Sequence, residues 1–578
     1  MKHFNLIFSK VSYGIRTAVS DPSKLYRFIQ KCWRQGLYKT LKKFFGNSFT
    51  EYENKFNLSS KSFTVLTTPH CQIIALQLKF LLEKVGFECR VTQNENELSS
   101  LSSESIPIIL APQMFSKLPN KFIAFQLEQK GSHWFNNEYI SILKKATFVL
   151  EYSQENLSYL QQLGIPFEKL YYSPIYANSY SFPEAYEKTT NKEYDLVFYG
   201  ALNDRRKKIL SHLSAKYKVL ILSELFGEDL YRQLNRAKLL INIHFYENAV
   251  LETTRLTEAK AVGIPVISES SISDSIDSEY SDFVTFAKLG DIEDLISKID
   301  LMLYQQNKVA FDKVREKKGF SWFDFYFLRF LLAQELISFE SFSDYFLTKF
   351  HHLNSNLCLS LPETYERQKS FVKQPFSSSF EIFPGLRHTL GWIGCCYSYK
   401  FIFYLSSYQK IKQLCICEDD VAFPSDINNK LTIVKNYLKA NEGKWQVFSG
   451  LISDVPENLD VTEVCNYDGV KFVYVTKSVG LVFSIFSSDA QMQLKEWSLN
   501  LNVKENTIDR FMARRLNKFI TCIPFLISQN NSLSSTIWGG KNEEIYGNYI
   551  ESSFKKLSWK IEKFEIEKSR SNHDNYKL

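Results

Sequence analysis

The sequence predicts an α/β protein in which two Rossmann-like halves are followed by a further α/β unit. From residue 62 to about residue 300, short apolar strands alternate with segments of helical periodicity, an order typical of parallel sheets covered by helices. A second series of this kind opens at residues 194–199. The length of 578 residues exceeds that at which one hydrophobic core stops growing, so two or three domains are expected.

Each unit is predicted from its own run of strands. The first half has strand candidates at 62–67, 87–91, 106–111, 122–126 and 148–152, with a helix over 72–85. The second half has strand candidates at 194–199, 219–222, 239–243 and 265–268. Residues 311–350 are dense in Phe and Tyr at helical spacing, and the third unit has strand candidates at 414–417, 446–448, 472–475 and 480–486. Ligands of open α/β sheets bind at the carboxyl ends of strands, so the loops after these strands are where sites are expected.

Charge and hydropathy limit the classes of function. Ten basic residues of the segment 1–46 face a single acid, Asp21, and alternate with apolar side chains. This pattern is typical of a basic amphipathic helix on an anionic membrane surface, and a solvated helix packed on the first domain fits it equally. No nucleic-acid-binding module accompanies it. No run of about 18 uncharged apolar residues and no signal cleavage site is present, so we expect a cytoplasmic protein, peripheral on the inner face of the membrane if the arm binds lipid.

An acidic triplet is the sharpest chemical feature. Glu418, Asp419 and Asp420 directly follow the apolar strand candidate 414–417. Clustered carboxylates are costly to ionise together unless a cation compensates them. Mg²⁺ and Mn²⁺ favour one or two carboxylates together with phosphate oxygens. The triplet therefore predicts a divalent cation that also holds a diphosphate, with a solvated acidic turn as the alternative.

A second polar pattern lies in the amino-terminal units. The strand candidate 239–243 delivers Asn242 and His244, and the helix that follows presents Arg255 and Glu258 three residues apart on one face. The guanidinium could meet a diphosphate while the carboxylate holds hydroxyls of a sugar or ribose. A simple intrahelical ion pair is the alternative.

The order of motifs in residues 361–539 resembles glycosyltransferase family 25, the lipooligosaccharide galactosyltransferase-like family. The resemblance rests on Glu366-Arg367, the G-x-x-G-C-x-x-S element of residues 391–398, the triplet 418–420, and matches at Asp509 and Gln529. It implies a GT-A-like fold and a transfer from a nucleotide sugar that depends on Mn²⁺ or Mg²⁺. The chain departs from the family pattern at Tyr399, where the family has His.

The same resemblance implies roles for individual residues. Glu418 and Asp420 would contact the metal, and Asp509 would be the catalytic base that takes the proton of the acceptor hydroxyl. An acid at a helix amino terminus is the alternative for Asp509. The implied substrate-binding residues are Arg367, Asp419, Gly394, Ser398 and Gln529.

Residues 194–292 resemble the group 1 glycosyltransferases of GT-B fold, with a looser echo at 126–129. The resemblance rests on Gly200, the pair Arg205-Arg206 and the helix-and-strand pattern R-x-x-E-A-x-A-x-G-x-P-V that begins at Arg255. It implies Glu258 as a catalytic or donor-binding residue and needs no cofactor, because helix dipoles and basic side chains neutralise the diphosphate. The E-x7-E pair of the wider superfamily is incomplete, since Val250 occupies the first position. The implied substrate-binding residues are Gly200, Arg205, Arg206, Asn242, His244 and Arg255.

These patterns predict a bifunctional, bacterial-type glycosyltransferase that transfers sugars from nucleotide-sugar donors to a glycan or glycolipid acceptor, a growing lipooligosaccharide or surface polysaccharide. The alternatives are one catalytic domain beside a degenerate one, or a non-catalytic glycan- or nucleotide-binding scaffold. The predicted units are a basic arm (1–58), two GT-B-like Rossmann halves (59–190 and 191–318), an aromatic helical linker (319–352), a GT-A-like domain (353–547) and a carboxyl-terminal tail (548–578).

Overall fold

A computed structural model describes residues 62–100, 105–176, 192–247, 249–272, 277, 280–281, 283–306, 320–500, 503–537 and 542–575. The protein has an α/β fold with parallel sheets, as the sequence predicts. The basic arm predicted at 1–58 lies outside the described residues, so its membrane interaction stays a prediction. Within the described part of the chain, no helix is both long and apolar enough to cross a membrane.

The first sheet, within the described residues, has six parallel strands in the order β2-β1-β3-β4-β5-β6. Its strands are β1 (Ser62–Leu66), β2 (Glu88–Thr92), β3 (Ser105–Leu110), β4 (Ile123–Gln126), β5 (Phe148–Glu151) and β6 (Leu170–Tyr172). Its helices are α1 (Gln72–Lys84), α2 (Asn137–Lys145) and α3 (Gln154–Gln162). Strands β3, β4 and β5 are almost entirely buried, which is why they read as continuous apolar runs.

The second sheet, again within the described residues, has five parallel strands in the order β8-β7-β9-β10-β11. Its strands are β7 (Tyr194–Tyr199), β8 (Val219–Leu222), β9 (Ala237–Asn242), β10 (Val266–Glu269) and β11 (Val284–Ala287). Its helices are α4 (Asp204–Ser214), α5 (Gly227–Leu234), α6 (Thr253–Val262) and α7 (Ile292–Gln306). The strand order reverses between β7 and β9, which opens a crevice at their carboxyl ends.

Two aromatic helices join the first sheet to the third unit. They are α8 (Trp322–Ala333) and α9 (Phe339–Leu347). In α8 every residue after Trp322 is buried. Phe330 packs on Phe148 of β5 at 5.5 Å between ring centroids, and Phe325 lies 6.3 Å from Phe401 of the third unit. Within the predicted linker 319–352, helix α8 thus packs on both the first sheet and the third unit.

The third unit contains a mixed sheet, with eight strands among the described residues, in the order β13-β12-β14-β19-β16-β20-β18-β17. Its strands are β12 (Asn356–Ser360), β13 (Glu381–Pro384), β14 (Gln413–Glu418), β16 (Val447–Ser449), β17 (Val461–Tyr467), β18 (Val470–Val475), β19 (Phe483–Ser487) and β20 (Phe519–Ile523). Strands β15 (Val421–Ala422) and β21 (Ser528–Gln529) form a separate antiparallel pair beside it. Strands β13, β12 and β14 are parallel, and β19 runs antiparallel to both of its neighbours.

Helices cover this mixed sheet and extend beyond it. They are α10 (Tyr365–Val372), α11 (Gly391–Tyr408), α12 (Ile427–Ala440), α13 (Ser488–Leu494), α14 (Val503–Asn506), α15 (Ile508–Arg515) and α16 (Asn542–Asn575). Most of the predicted tail 548–578 lies in α16. This helix buries Leu557 and Ile561, and Glu565 forms an ion pair with Lys471 of β18 at 2.7 Å.

A buried ionic junction ties the first sheet, α8 and the third unit together. Both carboxylate oxygens of Glu363 accept hydrogen bonds from Arg329 of α8, at 2.7 and 2.8 Å. Glu363 also accepts from the backbone nitrogen of Tyr172 in β6 at 2.9 Å. The Arg387 guanidinium lies 3.8 Å from Glu363 and donates to the carbonyl of Leu170. Burial opposes ionisation, but the two arginines dominate and lower the pKa of Glu363 to about 2.

Candidate functional site

Two polar clusters lie at the carboxyl ends of strands. The arginine site is the set Gly200, Arg205, Arg206, Asn242, His244, Glu252, Arg255 and Glu258, at the ends of β7 and β9. The acidic site is the set Arg367, Glu418, Asp419, Asp420, Gln529 and Asn542, at the end of β14. The structure brings the predicted residues named in these two sets together, but not Asp509, Gly394 or Ser398, and it adds Glu252 and Asn542, which sequence reasoning missed.

Gly200 gives the arginine site its shape. It follows β7 with φ +124°, a conformation that favours glycine. A Cβ atom at this position would lie 2.9 Å from Nη2 of Arg255. The missing side chain therefore allows the Arg255 guanidinium to approach the loop after β7.

Arg205 and Arg206 are already paired within the protein. Arg205 donates to both oxygens of Glu269, with Nη1–Oε2 at 2.8 Å. Arg206 is 3% exposed and donates to the carbonyls of Ile243 and Ala201, at 2.9 and 2.8 Å. Burial and the neighbouring Arg255 lower the pKa of Arg206 to about 10. Asn203 caps α4 by accepting from the Arg206 nitrogen, which begins the helix where both arginines are needed.

Glu252 connects the strand to the basic groups. Its Oε2 lies 2.5 Å from Nδ1 of His244 and 3.2 Å from Nδ2 of Asn242, while its Oε1 lies 3.3 Å from Arg206. Burial opposes ionisation, but His244, Arg255 and Arg206 together lower the pKa of Glu252 to about 2. For His244 burial is outweighed by Glu252, which raises the pKa of the imidazole. The sequence did offer a signal for Glu252, because the E-x7-E pattern expects an acid at position 250 and Glu252 lies two residues after it.

Arg255 retains unused hydrogen-bonding capacity. Its Nη1 donates to Oδ1 of Asn242, while its Nε is buried without a hydrogen-bond partner. Its guanidinium also lies over the rings of Phe198 and Tyr199, at 5.6 and 5.2 Å from their centroids. A buried donor without a partner costs free energy that an anionic or hydroxylic ligand would recover. Among the guanidinium groups of the site, Arg255 is therefore the one placed to meet a ligand.

Glu258 lies on the same helix, α6, but its hydrogen-bond partners differ from those of Arg255. It is 7% exposed and accepts hydrogen bonds from the hydroxyls of Tyr199 and Tyr231, the latter at 3.4 Å. Burial raises the pKa of Glu258 to about 7, against the lowering effect of these bonds and of Arg255. Within the described residues Glu258 and Arg255 do not form the intrahelical ion pair that was the alternative explanation of their spacing.

In the acidic site, Asp419 is engaged on both oxygens. Oδ2 accepts from the hydroxyl of Ser360 at 2.6 Å, and Oδ1 accepts from Nε of Arg367 at 2.9 Å. Arg367 also donates to the carbonyl of Ser534 at 2.6 Å. Burial raises the pKa of Asp419, against the effect of Arg367. Asp419 and Arg367 thus form a buried pair that fixes the loop after β14.

Asp420 differs because one of its oxygens is saturated and the other is not. Its Oδ2 lies 3.2 Å from Arg367, 3.1 Å from Nε2 of Gln529 and 2.9 Å from Nδ2 of Asn542. Its Oδ1 is buried without a hydrogen-bond partner, and so is Oδ1 of Asn542. Since Nδ2 of Asn542 also donates to the carbonyl of Asn530 at 3.2 Å, both amide hydrogens are used and the amide oxygen stays available.

Glu418 lies at the more open side of the triplet, beside Tyr399. The Tyr399 hydroxyl lies 3.4 Å from Oε1 of Glu418 and donates to the carbonyl of Leu481 at 3.2 Å. Burial and the charge of Asp420 raise the pKa of Glu418 to about 8. Tyr399, at the position where the family 25 pattern has His, is therefore a direct neighbour of the predicted metal ligand Glu418.

The remaining predicted residues contact the protein itself. Asp509 lies in the first turn of α15 and accepts from the hydroxyl of Thr507 at 2.6 Å and from the Arg510 nitrogen at 2.9 Å. A Cβ at Gly394 would lie 2.9 Å from the carbonyl of Leu386, and the Ser398 hydroxyl accepts from the Leu386 nitrogen at 2.8 Å. Their predicted roles at a substrate stay predictions. Asp509 is also an electrostatic neighbour of Glu418, which keeps it beside the acidic site.

The acidic site suits a divalent cation in part. Within the described residues, no group of three or more His, Cys, Asp or Glu side chains is arranged to hold a metal ion by itself. The partnerless Oδ1 atoms of Asp420 and Asn542 supply hard oxygen donors. Mg²⁺ and Mn²⁺ commonly take one or two carboxylates and complete their coordination with substrate phosphates and water. The donors present fit that pattern.

Comparisons with known proteins give partial likenesses. No family model matches the chain. A protein of Acanthamoeba polyphaga mimivirus, L140, is 27% identical over 198 residues, which cover 30% of this chain and 63% of that protein. Among solved structures, HepE of Anabaena with UDP and glucose aligns with a TM-score of 0.29 at 12% identity, over 44% of this chain and 94% of that one. WaaG, a glycosyltransferase of lipopolysaccharide biosynthesis, aligns with a TM-score of 0.30 at 14% identity, over 44% of this chain and 94% of that one.

Proposed function

We propose that the chain is a glycosyltransferase that uses a nucleotide-sugar donor at the arginine site. The observation that carries this proposal is the placement of Arg255 and Glu258 three residues apart on α6, which follows β9 at the point where the strand order of the second sheet reverses. Arg255 offers a buried Nε without a partner, and Glu258 offers a carboxylate held by two tyrosine hydroxyls. The first group suits a diphosphate, and the second suits the hydroxyls of a sugar or ribose.

The chemistry follows from charge development at the donor. When the bond between the anomeric carbon and the diphosphate oxygen breaks, negative charge accumulates on the departing diphosphate. Arg255 is fixed by Asn242 before the reaction, so its charge needs no rearrangement to stabilise that leaving group. Arg205 and Arg206 hold Glu269 and Glu252, and so support the loop without having to contact the donor.

We further propose that the acidic site is a second transferase centre of GT-A type that uses Mn²⁺ or Mg²⁺. Asp420, Glu418 and the amide oxygen of Asn542 would hold the ion, and when bound it would supply Lewis-acid stabilisation of a nucleoside diphosphate. Arg367 keeps Asp419 and Asp420 in place, and Tyr399 keeps Glu418 in place. A glycan or glycolipid acceptor would then receive two sugars from one chain.

A nucleotide-sugar screen tests both proposals. We expect purified protein to release nucleoside diphosphate from at least one donor, in one activity that survives EDTA and one that needs Mn²⁺. Glu258→Gln should remove the first activity and leave the second, while Asp420→Asn should do the reverse. Exposed carboxylates changed in the same way, Glu138→Gln and Asp426→Asn, are the matched controls. Loss of neither activity in the site variants would contradict the assignments, and no release from any donor would leave the scaffold alternative as the better account.

A further inference from the structure

A buried polar network in the first sheet is not used by either proposed centre. Gln126 at the end of β4, Glu151 at the end of β5, Asn156 of α3 and Tyr139 of α2 are each 0 or 1% exposed. Gln126 donates to Oε2 of Glu151 at 2.7 Å and accepts from the Tyr139 hydroxyl at 2.9 Å. Asn156 donates to Oε1 of Glu151 at 3.1 Å. So many buried polar groups cost free energy unless their bonds are complete, and these bonds converge on one loop.

That loop is the backbone of residues 128–130. Both Gln126 and Asn156 donate to the carbonyl oxygen of Glu128, at 2.7 and 2.8 Å. Gln126 also accepts from the Glu128 nitrogen, and Asn156 accepts from the Lys130 nitrogen at 3.0 Å. The network therefore holds Glu128 in one position relative to the first sheet.

This loop presents the carboxylate of Glu128, and one neighbour of that carboxylate, Gln113, has an unused hydrogen-bond acceptor. The half-buried carboxylate of Glu128 accepts from Nε2 of Gln113 at 2.8 Å and from the Ser132 hydroxyl at 3.0 Å. The other end of the Gln113 amide, Oε1, is buried without a hydrogen-bond partner. A ligand hydroxyl can donate to this orphaned oxygen, whereas no group in the described part of the chain does so.

The loop also faces the arginine site. Gln129, the next residue, accepts from the nitrogen of Val250 at 2.9 Å, two residues before Glu252. Burial, and to a smaller extent the charges of Glu258 and Glu128, raise the pKa of the Cys71 thiol at the start of α1 to about 12. The hydrogen bond between Gln129 and Val250 thus places the loop of Glu128 beside the segment that leads into α6.

We propose that Glu128 and Gln113 bind the acceptor hydroxyl of the reaction at the arginine site, with Glu128 as its general base. The inference rests on the proposed function. The hydroxyl oxygen forms a bond to the anomeric carbon while the bond from that carbon to the diphosphate oxygen breaks. The electron pair of the broken bond leaves with the nucleoside diphosphate, and the hydroxyl proton passes to the Glu128 carboxylate. The ligand class is a polyhydroxylated acceptor, a sugar or glycan, and water occupies the same position in its absence.

The test uses water as acceptor, so no glycan need be known. The probe is the nucleotide sugar that gives the fastest nucleoside diphosphate release in EDTA, in an activity lost in Glu258→Gln. We expect Glu128→Gln to lower kcat for this release by about 10²–10⁴-fold with donor binding unchanged. Gln113→Ala should raise the KM for a monosaccharide acceptor, and Glu138→Gln, an exposed change on α2, should have wild-type rates.

A pH profile separates a base from a structural group. Burial raises the pKa of Glu128, so wild-type kcat should rise with pH as this carboxyl ionises, and the ascending limb should vanish in Glu128→Gln. The titratable groups around Glu128 are Cys71, His133, Tyr139, Glu151 and Tyr152. Wild-type kcat, or an unchanged ascending limb, in folded Glu128→Gln would overturn the proposal while leaving the transferase intact. No EDTA-resistant release by the wild type would refute the proposed function first.

Discussion

Removal of the Glu363 carboxylate tests how strongly the units are joined. The side chains of Glu363 and Arg329 are both fully buried and are joined by two hydrogen bonds of 2.7 and 2.8 Å, and among the described residues Glu363 is the anionic partner of Arg329. The fall in the pKa of Glu363 from 4.5 to about 2 corresponds to about 3 kcal/mol of favourable interaction. Loss of one partner from a buried pair typically costs about 3–5 kcal/mol. We expect Glu363→Leu to lower the free energy of unfolding by that amount.

The assay is urea unfolding at pH 7, in which the shift of the midpoint multiplied by the slope m gives the change in the free energy of unfolding. Arg329→Met should be similarly destabilising, but the double variant should cost less than the sum of the singles by about 2 kcal/mol, because neither Arg329 nor Glu363 is then left as the unpaired member of the pair. Lys216→Met is the matched control, since its 2.6 Å ion pair with Asp300 is about half exposed and should contribute about 1 kcal/mol or less. Additive single and double effects would refute the account of a coupled pair. Since the folded-state pKa of Glu363 is depressed, its contribution is complete above pH 4.5 and is lost as pH falls towards about 2.

Three further predictions concern the sites. The pKa of Glu258 is raised from 4.5 to about 7, so protonated Glu258 stabilises the fold, fully below pH 4.5 and progressively less above it. The free energy of unfolding of the wild type, relative to that of Glu258→Gln, should therefore fall by up to about 3 kcal/mol as pH rises to 7. Parallel curves of stability against pH from urea unfolding would contradict this. Asp420→Asn should weaken Mn²⁺ binding measured by electron paramagnetic resonance by at least about tenfold, because carboxylate oxygens are the stronger ligands, while Ser360→Ala should leave it unchanged; equal affinities in wild type and D420N would rule out the site. Gly200→Ala places a Cβ 2.9 Å from Arg255 Nη2, so UDP binding by calorimetry should weaken about tenfold or more, and wild-type affinity in this variant would show that Arg255 does not contact the diphosphate.

The sequence predicted most strands of the two parallel sheets, but not β6 or β11. Strands 194–199 and 219–222 agree with the structure residue for residue, because both are largely apolar runs bounded by polar residues or glycine. Strand β17 was not predicted, since its residues are mostly exposed and polar, as expected for the edge strand of a mixed sheet. Strand β12 was missed because its sequence, Asn-Leu-Cys-Leu-Ser, has polar residues at both ends and so gives a weak apolar signal. In the structure its last four residues are nevertheless buried.

The candidate sites could be located from sequence, but the partner of each side chain could not. The position of Arg206 after β7 indicated a cationic loop, yet its burial against the Ile243 carbonyl depends on three-dimensional packing. Glu252 was passed over because spacing along the chain pointed to Val250. Asn542 lies more than 120 residues from Asp420, so no local pattern could connect the two.

The burial of α8 also bears on whether the chain could be divided into two separately folded fragments. A cut before α8 would separate Phe330 and Tyr326 from the rings of Phe148 and Tyr172. A cut after α8 would separate Phe325 from Phe401. Each fragment would then present a broad aromatic face to water, a surface prone to self-association. Because α8 packs on both the first sheet and the third unit, neither part of the chain can be removed without exposing this helix or the surface that it covers.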